Sequence, residues 1–556
     1  MTTGASILAQ MLDGYGVTHV FSVPAVLRRT MVELELQTDI KRIRPHSEKS
    51  AAYMADGYAR ASHRPGVCMA QVIGALNLAA GLRDAHLAHS PVIAFTGGRD
   101  PSTKFRKVYQ EVDDVPAFEA VTKLNATVDD VDRMPDMVRQ AFRVATTGSP
   151  GPVHLQFRGN EGQVDAEASD LAPLVETQFS AVPPYRPMPA EHEPLRAAIT
   201  LLRDAARPVF VVGGGARWSQ AGPALVALAE HLQIPIATSL NGKDTIPADH
   251  PLAVGVVGSY SRASANRMVA DADLVCFIGT ETGGMTTHFW QVPSLGADTI
   301  HIDVDQEAIG RNYPPRVGIH GDARSVLEAM LTLAGPEVTP SAWSQRAARE
   351  VGAWYDEHRS QLESNQIPIR PERLCAELSN NTPDDAIVVV DTGHAGMWMG
   401  GMFDASAGQS YLRSAGHLGW AFPAALGAKC GAPDRPVVCF TGDSGFWYHV
   451  AEIETAVRWN LNAVIVVNNN SGGNQSKRGF DRVYGGTQTE QGANELWKFT
   501  DVNFAAIATE IGALGIRVEK PGDLAGALDQ GFASGRPTII DVVTDIDALA
   551  PLAVTS

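Results

Sequence analysis

The densest chemical signal lies near the C-terminal end of the chain. Pro436-Val437-Val438-Cys439-Phe440 is an apolar, β-branched run that predicts a buried strand, and it ends directly in Thr441-Gly442-Asp443-Ser444-Gly445. A helix-period stretch follows from about Val450 to Trp459. A second strand, Ala463-Val464-Ile465-Val466-Val467, then ends in Asn468-Asn469-Asn470-Ser471-Gly472-Gly473. A right-handed crossover puts the carboxyl ends of both strands on one sheet edge, so Asp443 and Asn470 can converge. Carboxylate and amide oxygens, a backbone carbonyl near Gly472 and phosphate oxygens together suit Mg²⁺ or Ca²⁺. Gly442, Gly445, Gly472 and Gly473 let main-chain N–H groups approach phosphate without a Cβ in the way. A lone Gly-Asp would be read as a helix cap and the asparagines as a turn; the pairing of two strand ends favours a cation site. Asn469 competes with Asn470 for the amide role. As a strand-end acid, Asp443 is expected to be exposed and to support little of the core.

A second acid stands far from the first. In Arg44-Pro45-His46-Ser47-Glu48-Lys49-Ser50-Ala51-Ala52-Tyr53-Met54-Ala55-Asp56-Gly57-Tyr58-Ala59-Arg60 the small residues predict a tightly packed helix with Glu48 in its first turn. A glutamate there is favourable with the helix dipole whatever else it does.

The elements that must carry these residues are legible in the hydrophobic pattern. Runs such as Pro208–Val212 and Ala386–Val390 alternate with helix-period stretches, the pattern of strands buried on both faces by crossover helices. The expected class is α/β, with three doubly wound parallel-sheet domains. Two segments break the rhythm, Gly162 to about Glu191 and Gly335 to about Pro371, and read as linkers. They leave domains at 1–165, 190–335 and 370–556, as 556 residues require, since one core cannot serve such a length. With 44% apolar and 19% charged residues and no uninterrupted apolar run of membrane length, a soluble protein with no membrane partner is expected. The formal charge of −17 argues against nucleic acid. The N-terminus lacks the features of a secretory signal, so a cytoplasmic location is expected. Five scattered cysteines read as buried thiols rather than a disulfide framework.

The spacing of Gly-Asp-Ser and the asparagine pair resembles the diphosphate-binding motif of thiamine-diphosphate enzymes, usually G-D-G…N-N, with a serine variant seen in oxalyl-CoA decarboxylases. The segment around Glu48 resembles the H-E-x-x-A-x-x-M-A-x-G-Y-A-R signature of the acetohydroxyacid synthase-like superfamily, which includes acetolactate synthases and benzaldehyde lyase. Gly74–Leu82, Pro91–Gly97 and Tyr109-Gln110-Glu111-Val112-Asp113 extend the resemblance, as does Gly416-His417-Leu418-Gly419. It implies an N-terminal pyrimidine-binding domain, a middle domain and a C-terminal diphosphate-binding domain. The implied cofactors are thiamine diphosphate and Mg²⁺, with Asp443, Asn470 and the Gly472 carbonyl as metal ligands. Gly393, His394, Gly442, Ser444, Gly445 and Gly473 would line the diphosphate side. Gly416 would meet the aminopyrimidine, and Leu418 would prop the cofactor into its bent shape. Glu48 would be the acid against N1′ that promotes deprotonation of the thiazolium carbon, and Gln110 a substrate-side catalytic residue. The site would form between two copies of the chain, in a homodimer or homotetramer.

The sequence also departs from the family. Ser47 replaces the usual histidine, and His46 stands one position early. Thr280-Glu281-Thr282-Gly283-Gly284-Met285 lacks the flavin motif of the synthases that carry FAD, so no functional FAD is expected. Ser476–Phe480 lacks the tryptophan by which those synthases select a second ketoacid. Arg478–Gly492 and the tail from Asp545 are expected to cover the site. The reading is a lyase, decarboxylase or carboligase acting on a 2-oxo acid, acyloin or 2-hydroxyacyl compound; the alternatives are an acetolactate-forming synthase and, far behind, a non-catalytic homologue.

Overall fold

A computed structural model describes residues 2–189 and 191–551. Three six-stranded sheets carry the chain, each entirely parallel and flanked by helices. The first runs Lys41–Ile43, His19–Ser22, Gly66–Ala70, Val92–Gly97, Val153–Phe157, Leu124–Val128 from edge to edge. The third runs Ser410–Arg413, Ile387–Val390, Val437–Gly442, Val464–Asn469, Thr538–Val543, Leu514–Val518. Both have the order 2-1-3-4-6-5, counting each sheet's own strands along the chain. The middle sheet, Ala253–Val256, Ile236–Thr238, Pro208–Val212, Leu274–Ile278, Thr299–Asp303, Val317–His320, has the order 3-2-1-4-5-6. The first and third sheets thus share an architecture that the sequence does not display as a repeat.

Strand order decides where ligands can sit, because a parallel sheet opens a crevice where successive crossovers leave to opposite faces. In the third sheet that point lies between Ile387–Val390 and Val437–Gly442, so the loops beginning at Asp391 and Asp443 flank it. In the first sheet it lies between His19–Ser22 and Gly66–Ala70. In the middle sheet the loops Gly213–Gly215 and Gly279–Glu281 border a cavity of about 600 Å³.

The first and third blocks share a core. Helix Glu48–Ser62 crosses helix Ala421–Gly431, and glycines make the crossing possible: a Cβ on Gly57 would fall on the Ala424 carbonyl, and one on Gly427 on that of Met54. Tyr53, Met54 and Tyr58 join Trp420, Phe422 and Ala424 in one apolar cluster, whereas the middle block packs around a cluster of its own. All five cysteines are buried free thiols.

One expectation needs correction. The segment Gly335–Pro371 is not a bare linker: it contains the helix Ala342–Leu362, started by a capping box between Ser341 and Ser344. Trp343 and Trp354 anchor that helix, Trp343 donating to the Pro208 carbonyl at 2.8 Å and Trp354 lying under the Arg262 guanidinium. Its charged exposed faces hid this periodicity. The described part of Gly162–Glu191 holds only the short 3₁₀ turns Gln163–Ala166 and Thr177–Ser180 and the two-residue strand Ala168–Ser169, which pairs antiparallel with Thr2–Thr3. No helix among the described residues is long and apolar enough to cross a membrane.

Candidate active site

Strand alternation separates the competing asparagines. Asn469 is the last residue of Val464–Asn469, and its side-chain amide donates to Asp541 Oδ1 at 2.8 Å and to the Val502 carbonyl at 3.0 Å. Its own oxygen accepts the Ser471 amide at 3.2 Å, so Asn469 is consumed by the fold. Asn470 is the next residue, and successive side chains in an extended chain point to opposite sides. Its Oδ1 is buried with no hydrogen-bond partner.

Asp443 follows the neighbouring strand, where Gly442 pairs with Asn468. It is buried, at 3% exposure, against the expectation of an exposed acid. The helix Asp443–Trp447 begins at once and folds it inward. Its carboxylate accepts the Ser444 amide at 2.6 Å and the Gly472 amide at 2.9 Å, which ties the two loops together. Burial pushes the Asp443 carboxyl up to about 6, while the amides of Gly472, Ser444, Asn470 and Ser471 pull it down. A desolvated carboxylate beside an unpartnered amide oxygen is an all-oxygen donor set that could hold a hard divalent cation. Among the described residues no three His, Cys, Asp or Glu side chains gather as a metal cluster; this set contains only one such residue.

Gly393 and His394 stand at the other side of the crevice. Gly393 has φ +69°, a left-handed conformation that suits glycine, and leads into the helix His394–Met402. His394 is buried, and neither ring nitrogen has a partner. Burial, reinforced by the Arg478 charge, pushes its pKa down to about 4, so the ring is neutral at pH 7. Asp391, not singled out from the sequence, lies beneath these loops. It accepts the amides of Thr392 at 2.8 Å and Gly419 at 3.1 Å and the Thr441 hydroxyl at 2.9 Å, fastening three strand-end loops to one carboxylate. Burial pushes it up to about 7. Nothing in an apolar strand ending in Asp marked it out.

Leu418 is half-buried rather than part of a core, beside Gly416 at φ +154°. Glu48 opens the helix Glu48–Ser62, with Ser47 as its N-cap accepting the Ser50 amide at 3.1 Å. Ser47 is therefore a structural cap, and His46 is turned away to pair with Glu454 at 2.7 Å; neither replaces the missing histidine. The Glu48 side chain meets Gly74, where a Cβ would come within 2.5 Å of Oε1, and accepts from Asn77 Nδ2 at 3.3 Å. Gln110 has φ +62° and accepts from Gln71 Nε2 at 3.1 Å, so it sits on the same strand-end edge as Gly74. All these contacts of Glu48 and Gln110 lie within the first block. Around Gln110, Phe105 and Tyr109 are 87% and 78% exposed, which leaves two aromatic rings of a basic loop open to solvent in one chain.

The C-terminal tail is strapped to the helix Asn474–Val483, which begins just after Gly473. Asn474 donates to the carbonyls of Ile546 at 2.6 Å and Ala548 at 3.2 Å, Arg478 to that of Ala550 at 2.9 Å, and Lys477 pairs with Asp547 at 3.2 Å. Of the two segments expected to cover the site, the tail is thus joined to Arg478 at the start of the other, next to the Gly472–Gly473 loop.

Three family models match the chain: the thiamine pyrophosphate enzyme N-terminal TPP-binding domain over residues 2–117, the central domain over 195–330 and the C-terminal TPP-binding domain over 391–542. A probable acetolactate synthase large subunit of Methanocaldococcus jannaschii is 31% identical across 99% of this chain and 93% of that protein. A probable 2-ketoarginine decarboxylase of Pseudomonas aeruginosa is 33% identical across 82% of this chain and 79% of its own length. Acetolactate synthase isozyme 3 large subunit of Escherichia coli is 27% identical across 98% of the chain and 95% of that subunit.

Proposed function

This chain belongs to the thiamine-pyrophosphate enzymes of the acetohydroxyacid synthase-like group, and from that starting point we propose how its own residues run the chemistry. It is a thiamine-diphosphate-dependent carboligase or decarboxylase. When bound, thiamine diphosphate supplies a nucleophilic carbon that attacks a carbonyl and a ring that stores the resulting electron pair. We assign substrates to the 2-oxo acids, acyloins and 2-hydroxyacyl compounds.

Asp443 Oδ, Asn470 Oδ1 and the Gly472 carbonyl hold Mg²⁺, and the observation that carries this is the buried, unpartnered Asn470 oxygen next to the buried Asp443. The first-turn amide of Gly445 and the Ser444 hydroxyl, with Gly442, Gly393 and one ring N–H of His394, receive diphosphate oxygens, and Gly473 leaves room beside them. Neutral at pH 7, His394 donates one N–H without adding charge. Gly416 would offer its carbonyl to the aminopyrimidine, and Leu418 would prop the cofactor. Glu48, held between Gly74 and Asn77, exchanges a proton with N1′; Gln110 faces the substrate. Glu48 and Gln110 serve a second copy of the chain, and the uncovered Phe105–Tyr109 loop packs on that copy, which makes a homodimer the minimal unit. Two of the relatives are themselves named as large subunits.

A product screen by mass spectrometry with pyruvate, benzaldehyde, acyloins and 2-hydroxyacyl-CoA thioesters tests the assignment, with apo-enzyme and enzyme lacking Mg²⁺ as controls. Product that forms equally without Mg²⁺ or without thiamine diphosphate refutes it. A second reading, acetolactate formation from pyruvate, is favoured by the full-length match to acetolactate synthase subunits. It is weakened by the lack of a tryptophan in Ser476–Phe480; acetolactate as the dominant product from pyruvate alone would establish it.

A further inference from the structure

The loop Ser414–Leu418 belongs to the third block, yet a residue of the first block holds its shape. Asp84, on helix Ala75–Leu87, is fully buried. One carboxylate oxygen accepts the Ala415 amide at 2.9 Å and Arg60 Nη2 at 3.0 Å. The other accepts the Ser414 hydroxyl at 2.8 Å, the Gly416 amide at 3.2 Å and the His417 amide at 3.1 Å. Three successive main-chain amides converging on one anion form a nest, an arrangement that ordinarily collects a ligand's negative charge. Here the protein supplies the anion itself.

The carboxylate is in turn anchored. Arg60 makes a two-pronged pair with Asp56 at 2.7 and 2.6 Å and donates to the Arg413 carbonyl at 2.7 Å, while its guanidinium lies 4.5 Å from the centre of the Trp420 ring. Trp420 Nε1 closes the circuit on Asp56 at 2.8 Å. All these groups are buried, where hydrogen bonds gain strength and vacancies are costly. The loop needs such a template, because Gly416 at φ +154° and Gly419 at φ +86° have wide conformational freedom of their own.

We propose that Asp84 is a positioning residue for catalysis: from the first block it imposes the conformation in which Gly416 and Leu418 of the same chain receive the aminopyrimidine. This rests on assigning that loop to the cofactor. The amides at 415, 416 and 417 are occupied, and the Ser414 and His417 carbonyls accept from Arg413 and Trp420, which leaves the Gly416 carbonyl and the Leu418 side chain to face a ligand. The first block would then contribute twice: Glu48 to a second copy's site, Asp84 to its own.

The test compares Asp84→Asn, Ser414→Ala and Leu418→Ala in the full-length protein with Mg²⁺. Asparagine offers one acceptor and turns an N–H₂ toward donors, so one half of the nest must break. Thiamine diphosphate should bind about ten- to a hundredfold more weakly to Asp84→Asn by calorimetry, and severalfold more weakly to Ser414→Ala, as expected for losing charge-assisted hydrogen bonds. Turnover at saturating cofactor should largely recover. A residue needed only for packing would lower the apo melting midpoint and leave the cofactor Kd of the folded protein unchanged. If Leu418→Ala weakens binding while the other two do not, Asp84 has no positioning role and the loop assignment stands. If none of the three changes Kd, the loop assignment itself falls. Should Asp84→Asn fail to fold, Ser414→Ala decides: weaker cofactor binding supports the proposal, and wild-type binding overturns it.

Discussion

Gly74→Ala isolates the placement of Glu48 from its chemistry. Gly74 has φ −89° and ψ −5°, which alanine adopts without strain. A Cβ there would sit 2.5 Å from Glu48 Oε1, 2.7 Å from its Cδ and 2.8 Å from its Cγ, and nothing else is as close. Ordinary carbon contacts are about 3.5–4.0 Å, so the carboxyl must retreat by about 1 Å. The neighbour is the end of a flexible side chain, so the fold should give way cheaply and stability should change by no more than about 1 kcal/mol. Catalysis should not be so tolerant, because a displacement of about 1 Å costs about a hundredfold, or about 2.7 kcal/mol of barrier. Proton exchange at the thiazolium carbon, followed by quenched-flow NMR with saturating cofactor and Mg²⁺, reads that step without knowledge of the substrate. Exchange within about threefold of wild type, with the melting midpoint unchanged, would refute the placement of Glu48. The double variant with Glu48→Gln should exchange no more slowly than Glu48→Gln alone, since both changes act through one carboxyl.

Glu48→Gln by itself should slow the same exchange by about 10²–10⁴-fold with only modest loss of cofactor affinity, since glutamine keeps the shape but cannot share the proton; calorimetry and quenched-flow NMR check both halves. Asn470→Ala should abolish Mg²⁺-dependent cofactor binding with little change in melting, whereas Asn469→Ala should cost about 1–3 kcal/mol of stability by stranding Asp541 and the Ser471 amide; the reverse pattern in paired denaturation and calorimetry would shift the ligand by one residue. Burial pushes His154 down to about 3, so the unfolded chain binds a proton that the folded chain refuses between pH 6.5 and 3. Wild type should therefore lose stability relative to His154→Gln by about 1.4 kcal/mol per pH unit as pH falls through that window, and parallel urea-unfolding curves from pH 7 to 4 would contradict this. The purified enzyme should lack yellow flavin absorbance, and stoichiometric FAD whose removal abolishes activity would overturn that expectation.

The α/β class and the Asp443 loop were legible in the sequence because both are local. Apolar runs of strand length, glycines beside an acid and asparagines ending the next strand each report on a few consecutive residues, and one crossover rule joins them. The spacing also placed Glu48 at a helix start, since small residues on consecutive turns announce a helix that something else approaches closely. The helix Ala342–Leu362 was missed because its exposed faces carry charge and its buried residues are only Trp343, Ser344, Ala347 and Trp354. The burial of Asp443 was missed because it depends on a turn, not on composition. The choice between Asn469 and Asn470 became physical only when Asp541, from a strand far along the chain, was seen to occupy Asn469. Asp84 and Asp391 left no trace at all: each is one acid in an ordinary apolar element, and its meaning resides entirely in amides contributed by other segments. Sequence determines which groups can ionise, donate or flex, because those are properties of single residues. Which of them are left without partners, and so remain available to a ligand, is decided by burial and by the hydrogen bonds of distant chain segments, and only the tertiary structure sets those.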